Sequence, residues 1–123
     1  MHRFMDLSVA LRDAVALVGQ IEAYRQHFGG NSDPRLFNET RALPSTAEII
    51  ARFQDLAPTD RDDKRWALFK DCQRVVNPVQ SRLQGPARGN PDLMSLLTQI
   101  VSAKSQWAVF DRYPHAALHH AVH

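Results

Sequence analysis

Cysteine is almost absent from this chain of 123 residues, since Cys72 is the only one. A single cysteine excludes an intrachain disulfide, so the fold has to be stabilised by its apolar core. The same count leaves no Cys-x-x-Cys pair for metal or redox chemistry. A reducing compartment suits such a chain, and we expect it in the cytoplasm.

Long apolar runs are missing as well. No stretch approaches the ~20 apolar residues that cross a bilayer. The run from Ala14 to Val18 is too short for the apolar part of a secretory leader, and no basic residue directly precedes it. We therefore expect no membrane among the partners of this chain.

Neither sign of charge dominates the sequence. Lys and Arg number 15 and Asp and Glu 13, which gives a net charge of +2. That charge is too small to indicate nucleic-acid binding by itself. Hydrophobic residues make up 44% and charged residues 23% of the chain, which is typical of a globular protein. We expect one domain over 1–123, ending in a His-rich tail over 115–123 that is either flexible or a short helix.

Strand signals are absent, because the chain has no alternating Val/Ile/Thr run and no Asn-Gly or Asp-Gly turn. Apolar residues recur instead at helical 3-4 spacing near both ends of the chain. The first stripe is Leu7, Ala10, Ala14, Leu17, Ile21, Tyr24 and Phe28, and the second is Leu93, Leu96, Ile100, Ala103, Trp107 and Phe110. This pattern predicts an all-α, compact bundle with four main helices over about 6–28, 46–57, 60–77 and 91–112, and short helical turns near 79–84 and 115–122.

Residues that favour helix ends support these boundaries. Asp6 is a suitable N-cap, and Ser45 opens a Ser-x-x-Glu capping box. Asn90 precedes a proline and an acidic residue, which is a typical helix start. Pro78 lacks a backbone N–H, so the third helix is expected to end or kink just before it.

The aromatic residues indicate where the core lies. We expect helices 1 and 4 to pack together, with helices 2 and 3 covering them. Large aromatic side chains on the apolar faces should then lie at the centre of the bundle. These residues are Trp66, Phe69, Trp107 and Phe110.

Helix 1 carries more apolar surface than one stripe requires. Val15, Ala16 and Val18 widen the stripe until the helix is apolar around most of its circumference. Such a helix is either the central helix of a bundle or part of a subunit interface. We therefore take these three residues as the candidate interface.

A basic segment without acidic residues follows the middle of the third helix. Arg74, Arg82 and Arg88 lie in this segment, and polar donors such as Asn77 and Gln84 separate them. Arginines spaced along one segment can contact successive phosphates, helped by the N-terminus of the following helix. The segment is thus the candidate nucleic-acid site.

Histidines are concentrated in the last nine residues. On a helix, His115, His119 and His123 would share one face at i, i+4 and i+8. Imidazole is a common ligand of Zn²⁺, so these three are the candidate metal ligands. The tail has no carboxylate to complete a site, and we expect neither a bound metal nor another cofactor.

Arg112 and His119 are separated by six residues, a spacing that resembles the Arg-x4–6-His pattern of HEPN-type ribonucleases. The resemblance covers these two residues alone, and Tyr113-Pro114 interrupts the helix on which that family places the pair. It implies a metal-independent ribonuclease in which His119 acts on the 2′-hydroxyl or leaving group and Arg112 steadies the phosphate. These two residues are the only catalytic candidates.

No other catalytic set is present, and this favours a non-enzymatic function. We expect a small helical protein-interaction module that binds another protein or itself, as adaptor, chaperone-like or regulatory proteins do. A homo-oligomer is the simplest form of that function. The alternatives are a nucleic-acid-binding accessory protein that uses Arg74 to Arg88, and the ribonuclease described above.

Overall fold

The fold class is confirmed by the computed structural model, which describes residues 6–28 and 44–112. This part of the chain is helical and contains no strand. Four α-helices and one 3-10 helix follow each other along the sequence. They are α1 (Leu7–Phe28), α2 (Thr46–Asp55), α3 (Asp62–Leu83), the 3-10 helix Pro86–Gly89, and α4 (Pro91–Arg112).

Three helices begin as the sequence predicts. The backbone N–H of Ser8 donates to Asp6 Oδ1 over 2.9 Å, and that of Glu48 donates to Ser45 Oγ over 3.1 Å. At the start of α4, Asn90 Oδ1 accepts from the N–H groups of two residues in the first turn. Each cap satisfies backbone donors that have no partner inside the helix.

The predicted range of the third helix is wrong at its C-terminal end. It begins at Asp62 rather than near 60, because the Asp60 carboxylate folds back and accepts the Ala57 N–H over 2.7 Å. It continues through Pro78 to Leu83, so the predicted separate turn near 79–84 belongs to the same helix. Pro78 removes one backbone donor, but the helix tolerates this because its second half is held by burial of Val79 and Leu83.

The connection to α4 is ordered as well. Residues Pro86–Gly89 form a 3-10 helix. Ala87 is buried and anchors this segment against the core. The predicted helical turn near 115–122 lies outside the described residues.

The α1 and α3 helices are the two central helices of the described bundle, because each of them contacts the other three α-helices. The most extensive contact of α1 is with α3 rather than with α4. The predicted pairing of α1 and α4 therefore exists, but it is not the dominant one.

An aromatic cluster joins α3 and α4. The rings of Phe69 and Trp107 lie 5.2 Å apart at 78°, and those of Phe69 and Phe110 lie 5.7 Å apart at 71°. These edge-to-face geometries are the favourable ones for aromatic pairs. Three of the four predicted core aromatics are buried, while Trp66 is half-buried and packs against the edge of the cluster.

None of the described helices has the length and apolar content needed to span a membrane.

Candidate interaction surface

The three interface candidates on α1 do not form one exposed surface. Val15 and Val18 are buried in the core of this chain, at 8% and 0% exposure, and only Ala16 is exposed. The extra apolar width of α1 is thus covered by its own neighbouring helices, as expected of a central helix. No further copy or partner is needed to remove Val15 and Val18 from water.

Large apolar side chains are exposed at Val9 on α1 and, as a pair, on the outer face of α4. Met94 is 41% and Val101 is 48% exposed, and they lie seven residues apart on one face of the helix. Leu97 lies between them and is almost buried. An open groove of about 560 Å³ runs along this α4 outer face, which consists of Met94, Leu97, Thr98, Val101, Ser102, Ser105 and Gln106.

The α4 outer face carries no charge. From Leu93 to Ala103 the sequence has no acidic or basic residue. The next charged residue, Lys104, is drawn towards α3, where its Nζ donates to Gln80 Oε1 over 2.6 Å. A solvent-facing helix surface normally carries charged residues, so this uncharged face is the candidate interaction surface.

The signal for this face was present in the sequence but weak. Met94 and Val101 stand at helical spacing among serine, threonine and glutamine, beside the much stronger stripe that faces the core. Because their neighbours are polar, Met94 and Val101 resemble residues on an ordinary solvent-exposed face. Only the packing of α4 on α1 and α3 distinguishes the two sides.

A second groove of about 440 Å³ lies between α1 and the α2–α3 turn. Val9, Phe53, Leu56 and Pro58 contribute its apolar part, and Arg12 and Arg65 also line it. Arg65 holds the turn together, since its guanidinium donates to the Ala57 carbonyl over 2.7 Å and to the Asp60 carbonyl over 2.8 Å. Because Arg65 is occupied in this way, we assign it a structural role.

A third groove, of about 340 Å³, lies beside the first turns of α3. Three of the four charged residues that line it form ion pairs: Lys64 Nζ lies 3.4 Å from Asp60 Oδ1, and Arg52 lies 2.7 Å from Asp71. The fourth, Asp55, is exposed at the end of α2. The pKa of Asp60 is lowered, chiefly because its carboxylate accepts the Ala57 N–H. Asp60 is therefore a structural anion rather than a proton donor near neutral pH.

The candidate nucleic-acid residues are spread over two elements. Arg74 is exposed on α3 and forms an ion pair with Asp71 over 3.2 Å, which offsets part of its charge. Arg82 is half-buried near the end of α3, and Arg88 is exposed on the 3-10 helix. Nucleic-acid binding through these residues stays a prediction.

The catalytic and metal candidates fall at or beyond the end of the described residues. Arg112 ends α4, while His115, His119 and His123 lie outside that part of the chain. The ribonuclease and metal hypotheses stay predictions for this reason. Within residues 6–28 and 44–112, no three His, Cys, Asp or Glu side chains are grouped as a metal site would require.

Cys72 is fully buried on α3, and this burial raises the pKa of its thiol to about 12. At neutral pH the reactive thiolate is therefore scarce. The residue packs as a small apolar side chain and is not a nucleophile.

No known protein family, curated protein or solved structure matches this chain.

Proposed function

We propose that this chain is a non-enzymatic protein-interaction module whose binding surface is the α4 outer face. The observation that carries the proposal is the combination of exposed Met94 and Val101 with an uncharged helix surface along an open groove. Apolar surface of this kind favours a protein partner over a charged ligand. We further propose a cytoplasmic location, which the single buried thiol of Cys72 supports.

The shape of the α4 outer face favours a helix as the binding element. Met94 and Val101 are exposed at the i, i+7 spacing that helix-in-groove recognition uses, and the buried Leu97 lies between them. Covering the exposed parts of Met94 and Val101 contributes on the order of 1 kcal/mol each. Two such anchors support a moderate, reversible affinity, because association also costs translational and side-chain entropy.

A photo-crosslinking experiment in the native host tests the proposal. A photoreactive phenylalanine analogue replaces Val101 in one variant and Gln99 in its matched control. Gln99 is also exposed on α4 but does not line the groove. We expect the Val101 variant to give discrete adducts with a protein, and the Gln99 variant to give none of them.

Absence of adducts at Val101, or equal adducts at both positions, would contradict the proposal. A pair of charge variants provides an independent measurement. Val101→Arg places one positive charge in the groove, whereas Gln99→Arg places the same charge outside it. Only the first variant should abolish the adducts formed by a photoreactive analogue at Ser105, which also lines the groove.

A further inference from the structure

We propose that this chain also binds the phosphate backbone of a nucleic-acid duplex, through an exposed polar stripe on α3. This α3 outer face consists of exposed residues at 4-3-4-3 spacing, namely Lys70, Arg74, Asn77, Ser81 and Gln84. Their positions fall within a sector of about 80° around the helix axis, since each helical residue turns by ~100°. The α3 outer face shares no residue with the α4 outer face, so this inference is independent of the proposed function.

Positive charge is concentrated in this half of the sequence. The described residues before Lys70 include six basic and eight acidic side chains, whereas residues 70–112 include six basic and three acidic ones. From Cys72 to Pro91 the sequence has no acidic residue. The small net charge of the whole chain therefore includes a local excess of positive charge, and such an excess attracts a polyanion.

Asp71 is the one acidic residue between Lys70 and Pro91, and two arginines share its carboxylate. Arg52 Nη1 of α2 donates to Asp71 Oδ2 over 2.7 Å, and Arg74 Nη1 donates to Asp71 Oδ1 over 3.2 Å. Two guanidinium groups on one carboxylate leave this trio with an excess of positive charge. The Arg74 side chain is 52% exposed, so a phosphate can reach it beside Asp71.

The structure distinguishes between the three candidate arginines of this region. Arg88 is exposed on the 3-10 helix that follows α3. Arg82 is half-buried and lies about 120° around the helix from Lys70, outside the α3 outer face. Lys70 is exposed one turn before Arg74 and takes its place. The cations assigned to phosphate contacts are therefore Lys70, Arg74 and Arg88.

The chemistry of the α3 outer face matches a phosphate backbone. All five of its side chains can donate a hydrogen bond, and none is acidic or apolar. Phosphate oxygens are acceptors, and Lys, Arg, Asn, Ser and Gln are among the side chains that contact them in protein–DNA complexes. A protein partner or a membrane surface would require apolar anchors, which this face does not offer.

The length of the face and its lack of aromatic residues favour a duplex. From Lys70 to Gln84 the face is ~21 Å long, since each helical residue rises ~1.5 Å. The phosphates of one strand follow each other at ~3.4 Å along the duplex axis, so the face spans about six of them. Binding of single strands relies on aromatic side chains on which bases stack, and the α3 outer face has none. We therefore expect sequence-independent binding to duplex DNA or duplex RNA.

Fluorescence anisotropy measures this binding with labelled DNA and RNA duplexes of the same sequence. We expect dissociation constants on the order of 1–100 µM at physiological salt, as is typical of non-specific binding. Three phosphate contacts release counterions, so the affinity should fall roughly forty-fold between 50 and 200 mM salt. Binding of either duplex supports the inference, and the tighter of the two identifies DNA or RNA as the source of the phosphates.

A triple variant removes the three assigned cations without changing any buried residue. It combines Lys70→Gln, Arg74→Gln and Arg88→Gln. We expect it to bind the preferred duplex at least about tenfold more weakly and to lose most of the salt dependence, because the counterion release disappears. Circular dichroism confirms that the variant is folded.

A second triple variant is the matched control, because it removes the same amount of positive charge from exposed residues elsewhere. It combines Arg12→Gln, Arg61→Gln and Lys64→Gln. Charges distant from the bound duplex are largely screened at physiological salt, so its affinity should fall by about threefold or less.

Three results would overturn the inference. Equal losses in the two triple variants would mean that net charge alone, and not the α3 outer face, determines binding. A wild-type chain without salt-dependent binding to either duplex would rule out the phosphate backbone as ligand. Polyglutamate that displaces the duplex equally well at the same charge concentration would identify an acidic protein as the partner instead.

Discussion

Trp107 is the largest side chain that the core encloses completely. Its ring packs edge-to-face against Phe69, but its indole N–H finds no acceptor in the described part of the chain. A buried donor without a partner lowers stability, because it loses its hydrogen bond to water. Trp107 is thus stabilising through its apolar surface and destabilising through one polar atom.

This balance gives a prediction for two substitutions. We expect Trp107→Ala to lower the free energy of unfolding by ~3–5 kcal/mol, because it leaves a large cavity. Trp107→Phe should cost clearly less, since it keeps much of the ring and removes the unsatisfied donor. Urea denaturation followed by circular dichroism measures both values, with Trp66→Ala at the half-buried edge of the cluster as the reference. Equal losses for the two Trp107 variants would contradict this account.

Individual residues were most predictable where their role is local. Asp6, Ser45 and Asn90 act on backbone groups two or three residues away, so the sequence is sufficient to assign them as caps. Arg65 reaches the carbonyl of Ala57, eight residues away, through a turn with no simple sequence signature. The start of α3 depends on that turn, so the sequence alone places it only approximately.

At the scale of elements, Pro78 lies inside a 22-residue helix. Proline cannot donate to the carbonyl four residues earlier, and its ring crowds the preceding turn. Rules that use only the local sequence therefore predict that the helix ends just before Pro78. The tertiary contacts of Val79 and Leu83 outweigh this local preference and keep α3 continuous.

We expect Pro78→Ala to stabilise the protein by about 1–3 kcal/mol, because it restores a helical hydrogen bond and removes the steric conflict. The gain is below the full helix-interior penalty of proline, since alanine gives the unfolded chain more freedom. Thermal unfolding of the two proteins measures the difference, with Gln73→Ala on the same helix as a control. A lower melting temperature for Pro78→Ala would show that the ring itself supplies essential packing.

The two apolar faces on α1 and α4 illustrate what the sequence could not decide. Val15 and Val18 suggested an excess surface, yet α1 has neighbours on several sides and buries both. Met94 and Val101 gave no clear sign of an apolar surface in the sequence, yet both are exposed on α4. Periodicity assigns residues to a face, but only the arrangement of helices determines which face is covered.

At the scale of the whole molecule, Glu22 connects the first two helices. Thr46 Oγ1 donates to its carboxylate over 3.3 Å from the start of α2, and Arg25 donates over 2.6 Å within α1. Partial burial alone would raise the pKa of Glu22. The hydrogen bonds from Arg25, Gln26 and Thr46, together with the charge of Arg25, outweigh burial and hold the pKa below its ordinary value of 4.5.

A lowered pKa links global stability to pH. The contribution of Glu22 is fully present above its unfolded value of 4.5 and is lost as the pH falls through the lower folded value. We expect Glu22→Gln to be less stable than the wild type at pH 7, and the two to converge as the pH approaches 3. Urea midpoints across this range measure the convergence. A constant difference at all pH values would mean that the charge of Glu22 has no part in joining the helices.

The all-α class was predictable because helical spacing and caps agree along most of the chain. The pairing of the helices was less predictable, because α1 has apolar residues on nearly every side and could face any neighbour. Its dominant contact with α3 results from the sum of many small packing terms. The α4 outer face takes no part in these internal contacts. The apolar pattern that predicts the core therefore does not identify it.

The central position of α1 has a consequence for how the protein is made. This helix leaves the ribosome before α3 and α4, the helices that later cover it. At roughly 5–20 residues per second, several seconds separate the synthesis of α1 from that of a complete α3. During that interval side chains such as Leu11 and Val18, fully enclosed in the finished bundle, face water or a chaperone. The α1 helix is therefore exposed to aggregation while the rest of the chain is being synthesised.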